Sequence, residues 1–269
     1  MHGRGIWKNR LAQKGRTSSN DCGAFEALVG RNTFVNLIQE SKSLFRLTRF
    51  GMVNCFLVRE EDGLTLVDTG LAGSTVGILR AASALDSTIC RIVLTHAHID
   101  HVGSVDALLR ELPASEFFVG QRESRLLTGD FTLDAGENGK KLLGFPGVKS
   151  RPNRCLNDGD RVGSLQTISS PGHTPGHMAY LDVRDGSLLA GDAFTTQTGV
   201  VAAGVLKLYF PFPWMFSWNR ELAAESARKL HNVKPARLAV GHGKTIKSPL
   251  AAMDRAVELA FQQCGKMLD

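Results

Sequence analysis

Apolar positions along the chain alternate at short range in some stretches and recur every three to four residues in others. The two rhythms predict strands and helices in turn. Val53–Val58 and Leu64–Val67 read as strands joined by the turn signal Glu61-Asp62-Gly63, which makes a hairpin. Thr75–Leu85 predicts a helix, Arg91–Thr95 a buried strand, and Val102–Leu112 an amphipathic helix stopped by Pro113. The pattern then partly repeats, with strands near Val162–Ser169, Met178–Val183 and Ser187–Ala190, a helix over Asn219–His231, a strand at Leu238–Gly241 and a last helix from Leu250 to Lys266. Two such halves predict an α/β architecture of two sheets packed face to face with helices outside.

Two segments fall outside this scheme. Residues 120–160 are rich in Gly, Asn, Asp and Lys and read as an irregular excursion. Residues 204–218 gather Tyr209, Phe210, Phe212, Trp214, Phe216 and Trp218 around Pro211 and Pro213, which forbid a regular helix or a central strand, so a loop or broken helix is expected.

At 269 residues the chain has room for one large layered domain, and 43% hydrophobic with 22% charged residues excludes a disordered, collagenous or coiled-coil chain. The longest stretch free of Lys, Arg, Asp and Glu, residues 162–181, carries Gln166, Pro171, Pro175 and two histidines, so no membrane span is expected. The net charge of +6 hints at nucleic acid until it is divided along the chain. Arg4, Lys8, Arg10, Lys14 and Arg16 lie in the first twenty residues without an acid, leaving 27 basic against 26 acidic residues in 21–269. A nucleic-acid enzyme carries its positive excess on the folded surface, so no nucleic-acid partner is expected. Residues 1–33 read as a basic tail and 34–269 as one domain. Cys22, Cys55, Cys90, Cys155 and Cys264 are widely spaced with no CxxC pair, and no apolar leader precedes them, which together point to a reducing, cytoplasmic setting.

The sharpest chemistry lies in Thr95-His96-Ala97-His98-Ile99-Asp100-His101, between an apolar strand and a helix. In extended chain His96 and His98 point the same way, and Asp100 and His101 then begin a helical turn facing the same space. Further ligand-capable side chains follow other strands, in Gly172-His173-Thr174-Pro175-Gly176-His177, Ala190-Gly191-Asp192 and Val240-Gly241-His242-Gly243. Imidazole and carboxylate suit zinc and related cations, and a carboxylate can bridge two ions about 3.5–4 Å apart.

With these residues in place, residues 45–250 resemble the metallo-β-lactamase superfamily: the HxHxDH motif at 96–101, the later His173, Asp192 and His242, and Val67-Asp68-Thr69-Gly70 after an early strand all match its pattern. The resemblance implies a four-layer αββα sandwich. It also implies two divalent ions, zinc first, with Mn, Fe or Co suited to the same ligands. His96, His98 and His173 would hold one ion, Asp100, His101 and His242 the other, and Asp192 would bridge them. Asp68 matches the acid that hydrogen-bonds a ligand histidine, although it could instead cap the turn before Gly70. His177 reads as structural support.

Such a site implies hydrolysis of a carbonyl ester or lactone by a metal-bridging hydroxide, with Asp100 orienting it. Tyr209 is either a donor to the substrate carbonyl or a wall residue. The aromatic run, Phe210, Phe212, Trp214, Phe216 and Trp218, is expected to form an apolar wall for an acyl chain; it could instead form a homodimer contact or a membrane-surface patch. An apolar wall suits the N-acyl homoserine lactone lactonases of the superfamily. Those enzymes carry a Tyr shortly after the bridging Asp, where this chain has Ala193-Phe194-Thr195. A glyoxalase II-like thioesterase is the rival, although the last helix offers only Arg255 and Lys266 for a glutathione moiety. A β-lactamase, an oxidative enzyme with one iron, and a sensor that keeps the site without turnover would all use the same ligand set.

Overall fold

Along the strand that begins at Val53, Cys55 and Leu57 are buried on one side and Phe56 and Val58 on the other. A strand apolar on both faces must lie between two packed layers. The protein is seen here as a computed structural model that describes residues 35–209 and 211–265; the expectation of a basic tail over 1–33 lies outside the described residues. In chain order the elements are β1 (Val35–Gln39), β2 (Leu44–Arg49), β3 (Val53–Arg59), β4 (Leu64–Val67), α1 (Thr75–Ala84), β5 (Ile89–Val93), α2 (Ile99–Val102), α3 (Val105–Glu111), β6 (Glu116–Gly120), α4 (Gln121–Leu127) and β7 (Arg154–Leu156). There follow β8 (Arg161–Val162), β9 (Leu165–Ser169), β10 (Met178–Asp182), β11 (Ser187–Leu189), β12 (Phe194–Thr195), β13 (Val201–Ala202), α5 (Phe212–Met215), α6 (Arg220–Asn232), β14 (Arg237–Ala239), β15 (Ile246–Lys247) and α7 (Leu250–Gln263).

Strands β1 to β7 form one sheet in sequence order, antiparallel up to β4 and parallel from β4 to β7. The second sheet runs β15-β14-β11-β10-β9-β8, antiparallel except for the parallel pair β11 and β14. Both sheets are therefore mixed, and β12 and β13 make a separate ribbon.

Three apolar clusters show how the layers stack. Leu57, Leu66, Ile92, Phe117 and Val119 pack with Ile78 and Ala81 of α1, Val105 and Leu108 of α3, and Leu126 of α4. Leu188, Leu238 and Ala179 pack with Ala224 and Ala227 of α6 and Met253, Val257 and Phe261 of α7. The alternate residues of the same strands, Phe56, Val58, Val67, Val93 and Phe118 from one sheet and Met178, Tyr180, Leu189 and Ala239 from the other, meet in the middle. Helix, sheet, sheet and helix layers follow directly from this period-two division, and the four-layer αββα expectation is met.

Several local expectations are refined. The helix foreseen over Val102–Leu112 is divided into α2 and α3 because the turn after β4 takes its backbone groups: Thr69 N–H donates to His101 C=O at 2.7 Å, and Gly103 N–H donates to Gly70 C=O at 2.9 Å. The strand near 162–169 is a tight hairpin, β8 and β9, turning at Gly163, whose φ is +57°. The excursion at 120–160 opens with α4 and closes with β7, and is irregular between them. As Pro211 and Pro213 require, the aromatic segment contains only the single turn α5.

Candidate metal centre

Four strand-end loops bring the site together. His96 and His98 follow β5, His173 lies between β9 and β10, Asp192 follows β11 and His242 follows β14. Asp100 and His101 sit in the first turn of α2. The loops can approach closely because Gly241 has no side chain: a Cβ there would collide with Asp192 Oδ1 and lie 2.6 Å from His101 Cε1.

Two ligand clusters result. His96 Nε2 is 3.1 Å from His98 Nδ1, and His173 Nε2 is 2.9 Å from the same atom. On the other side His242 Nε2 is 3.2 Å from Asp100 Oδ2, and His101 Nε2 is 3.9 Å from it. Asp192 stands between them. Its Oδ1 is 3.4 Å from His101 Nε2, and its Oδ2 is 3.2 Å from His242 Nε2, 3.5 Å from His173 Nε2 and 3.9 Å from His96 Nε2. Ligand atoms about 2.0–2.1 Å from a tetrahedral ion stand about 3.3 Å apart, so these separations would allow the atoms to share cations. The groups His96-His98-His173, His96-His101-Asp192 and Asp100-His101-His242 each converge closely enough to hold an ion. The buried atoms His101 Nε2 and Asp192 Oδ1 have no hydrogen-bond partner among the described residues, as expected of positions that a cation satisfies.

The surrounding hydrogen bonds aim these atoms inward. The Nδ1–H of His101 donates to Asp68 Oδ2 at 2.8 Å, which leaves Nε2 to face the cluster. Asp68 is itself held by Thr95, whose N–H and hydroxyl donate to its two oxygens at 2.7 Å each. It therefore braces His101 and the Thr95 loop and does not cap the Gly70 turn. The Nδ1–H of His242 donates to Met52 C=O at 3.0 Å. His177 is not in the clusters: its Nε2 accepts the backbone N–H of Asp192 at 3.2 Å and its Nδ1 pairs with Ser170 Oγ at 2.8 Å.

Electrostatics divide the two clusters. Burial, reinforced by neighbouring imidazoles, holds His96 and His173 well below the ordinary histidine range and lowers His98 to about 4. These rings are neutral at physiological pH, the form in which imidazole can bind a cation. In the second cluster burial opposes protonation, but Asp192 and the other carboxylates outweigh it, raising His101 well above its ordinary value and His242 to about 10. The same pairs outweigh burial at the acids, lowering Asp100 to about 2 and Asp192 well below the carboxylate range.

Glu123, in α4, is a buried carboxylate that the sequence pattern did not single out. Its Oε1 accepts Ala97 N–H at 2.7 Å, and its Oε2 accepts the Thr174 hydroxyl at 2.8 Å and Gly176 N–H at 3.0 Å. It ties the His96–His98 loop to the loop of His173. In sequence, Glu123 lies in the stretch 120–160 that reads as an irregular excursion, so only the tertiary fold exposes this role.

A cavity of about 390 Å³ adjoins both clusters, bounded by His98, Asp100, His173, Asp192 and His242 on the polar side. Its other walls include Met52, Leu71, Ile99, Phe194, Phe212 and Phe216. Gly144 of the irregular excursion lines the cavity, and the neighbouring Phe145 ring packs edge-on against His98 with centroids 4.8 Å apart.

The aromatic run is thereby divided, which corrects part of the expectation. Phe212 and Phe216 line the cavity. Trp218 does not: it is 3% exposed, donates its backbone N–H to His173 C=O at 3.0 Å and packs its indole against Gly139. Trp214 is absent from the wall, and its ring carries the Lys140 ammonium at 3.9 Å. Tyr209 is 99% exposed and is not among the residues that line the cavity, so the structure does not bring it to the clusters. Phe210 lies outside the described residues. Among the described residues no helix is long and apolar enough to cross a membrane.

Comparison with known proteins agrees with this geometry. The Bacillus subtilis protein YobT, described as uncharacterized, is 42% identical over 228 residues, covering 83% of this chain and 98% of its own. The probable metallo-hydrolase YflN of the same organism is 30% identical over 70% of this chain and 78% of its own. The hydroxyacylglutathione hydrolase of Aeromonas hydrophila is 34% identical, but over 51% of this chain and 44% of that enzyme. Among solved structures, TTHA1623 in a di-iron-bound form superposes with a TM-score of 0.57 at 27% identity, over 74% of this chain and 92% of its own. The DIM-1 metallo-beta-lactamase shares the fold, with a TM-score of 0.66 at 15% identity over 85% and 98% of the two chains. The profile of the Metallo-beta-lactamase superfamily matches residues 48–242, from β2 through the last clustered histidine. The chain belongs to the metallo-β-lactamase superfamily of metal-dependent hydrolases.

Proposed function

We propose that this chain hydrolyses a carbonyl ester or lactone carrying an apolar acyl group, using two divalent metal ions. His96, His98 and His173 would hold one ion, Asp100, His101 and His242 the other, and Asp192 would touch both. Such ions supply Lewis acidity to the substrate carbonyl and acidify water. The chain's own contribution is positioning. Asp68 fixes the His101 ring, Met52 C=O fixes the His242 ring, and Glu123 fixes the loops that carry the other three histidines. Asp100, ionised and at the cavity wall, can hold the proton of an attacking water at its Oδ2.

The observation that carries this reading is one cavity lined both by residues of the two clusters, His98, Asp100, His173, Asp192 and His242, and by the apolar side chains Met52, Leu71, Ile99, Phe194, Phe212 and Phe216. A hydrocarbon chain would be buried there while its carbonyl faces the metals. An N-acyl homoserine lactone has this division of polarity. Zinc and iron both suit the ligand set, and a di-iron form exists in the related TTHA1623 structure. Proton release from short- and long-acyl lactones tests the reading, with the metal-loaded protein compared against a chelated control. Opening that is abolished by the chelator and depends on chain length supports it; equal rates with and without chelator would refute it.

A further inference from the structure

Met52, Ile99, Phe212 and Phe216 line the cavity and are each 41–57% exposed, so its apolar wall runs out onto the surface. Chain neighbours of the wall extend it there. Leu208 is 87% exposed and Tyr209 99%, and Phe50, Leu143 and Met215 are exposed as well. Single exposed apolar side chains are ordinary, but a group of them around a cavity mouth marks a contact surface.

Two segments frame this mouth, residues 138–148 and 193–220, and they touch. Lys140 N–H donates to Trp218 C=O at 2.7 Å, Lys140 Nζ lies 3.9 Å from the centre of the Trp214 ring, and Phe145 and Phe216 both flank the His98 ring. Neither segment contains an acid, whereas together they carry Lys140, Lys141, Lys207 and Arg220. Arg220 is engaged within the fold, donating to the Gly204 and Gln263 carbonyls. Among the described residues none of the three lysines has a carboxylate partner. The acids that precede the first segment, Asp130, Asp134 and Glu137, are paired with Arg122 and Arg125, and those that reach the cavity, Asp100 and Asp192, belong to the ligand clusters.

The charge decides between occupants of such a surface. A two-fold contact with a second copy would set the patch on itself and bring lysines to lysines. An anionic lipid surface takes aromatic and aliphatic side chains among its headgroups and draws lysines to its phosphates. We propose that this face docks on an anionic bilayer, with Leu208, Tyr209 and Met215 entering the headgroup region and Lys140, Lys141 and Lys207 at the lipid phosphates. The contact is peripheral, since among the described residues no helix is long and apolar enough to cross a membrane. The cavity mouth then opens on lipid, and an apolar substrate enters from the bilayer without crossing water. The proposal concerns where the chain works and is independent of which bond the metal centre cleaves.

The test is flotation of the full-length, metal-loaded protein with vesicles of phosphatidylcholine, alone or with about one-third phosphatidylserine. Two double variants accompany the wild type, Leu208→Ser with Tyr209→Ser and Lys141→Glu with Lys207→Glu, with circular dichroism and sedimentation equilibrium recorded for all. The wild type is expected to float with the anionic vesicles, less so as salt is raised. Loss of the two apolar side chains should lower its partition by at least about tenfold. Reversal of the two lysines should lower it by at least about twentyfold on anionic vesicles and little on phosphatidylcholine alone, each basic residue near such a surface being worth roughly fivefold. Three results would overturn the proposal: no flotation of the wild type, or flotation indifferent to phosphatidylserine; both variants floating as the wild type does, as they would if the basic residues 1–20 did the binding; or a dimer that the Leu208 and Tyr209 changes dissociate, which would make the face a contact between copies.

Discussion

Asp68 accepts the Nδ1–H of His101 at 2.8 Å while its other oxygen accepts Thr95 N–H at 2.7 Å, so one carboxylate sets both the tautomer of a histidine and the position of the loop that begins the HxHxDH run. Asp68 adopts a φ of +61°, a conformation a non-glycine residue rarely takes, and this turns its carboxylate toward both partners. Replacing Asp68 by Asn keeps the shape but presents the wrong group to at least one of three donors. Loss of such an outer partner typically costs about 10–100-fold in affinity or activity. Asp68→Asn is therefore expected to lower kcat/KM by roughly that factor, with metal bound more weakly in the second cluster. Steady-state kinetics and metal titration check this, and wild-type values for both would contradict it.

Asp192 reaches both clusters, whereas Asp100 belongs to one. Asp192→Ala is expected to weaken both ions, and Asp100→Ala to spare the ion held by His96, His98 and His173 while cutting turnover by at least about a hundredfold. Metal content per chain after dialysis distinguishes the two variants. Two tightly held ions in Asp192→Ala would contradict the shared carboxylate.

Phe216 and Trp218 are two residues apart and have opposite surroundings. Phe216 is partly exposed at the cavity wall, and Trp218 is buried behind it. Phe216→Ala should change the preference between short and long acyl chains with little effect on stability. Trp218→Ala should cost about 3–5 kcal/mol of stability, as deletion of a buried aromatic does. Denaturant unfolding beside a chain-length series separates the outcomes, and a chain-length effect confined to Trp218→Ala would reverse the assignment.

Glu123 supplies a pH signature. Burial raises its carboxyl from 4.5 to about 7 against the pull of its three donors. Between these values the folded chain keeps a proton that the unfolded chain has released, so the Glu123 contribution to stability falls as pH rises from about 4.5 to 7 and is level above. Glu123→Gln cannot titrate. The stability of wild type relative to Glu123→Gln should decline across that window by up to ~3 kcal/mol. Urea unfolding of both proteins at about pH 5 and about pH 7.5 measures it, and a pH-independent difference would show that Glu123 keeps an ordinary carboxyl.

Much of this was legible in the sequence, and for a physical reason. The buried strands announce themselves by alternation, and glycine beside His173, Asp192 and His242 marks strand ends where backbones approach. That Asp68 holds a histidine was implied by the resemblance of Val67-Asp68-Thr69-Gly70 to the family pattern, and the structure shows that the histidine is His101. What stayed hidden depends on distant chain segments meeting. Glu123 sits in a stretch that reads as irregular, and its role shows only when α4 brings it to the loops of Ala97 and Thr174, while the α2–α3 break arises from backbone bonds to Thr69 and Gly70, far back along the chain. The aromatic run shows the limit most plainly. Its composition promised an apolar wall, but the structure divides it: Phe212 and Phe216 line the cavity, Trp218 is buried against Gly139 and Tyr209 faces solvent.

The central claim is tested most directly by following proton release from an uncharged acyl lactone with protein of measured metal content, before and after chelation and after the metal is restored. Turnover should track bound metal, vanish with the chelator and return on reconstitution with two equivalents of zinc or iron. Hydrolysis that persists at full rate in chelated protein, or protein that binds two ions yet opens no neutral ester or lactone, would contradict it.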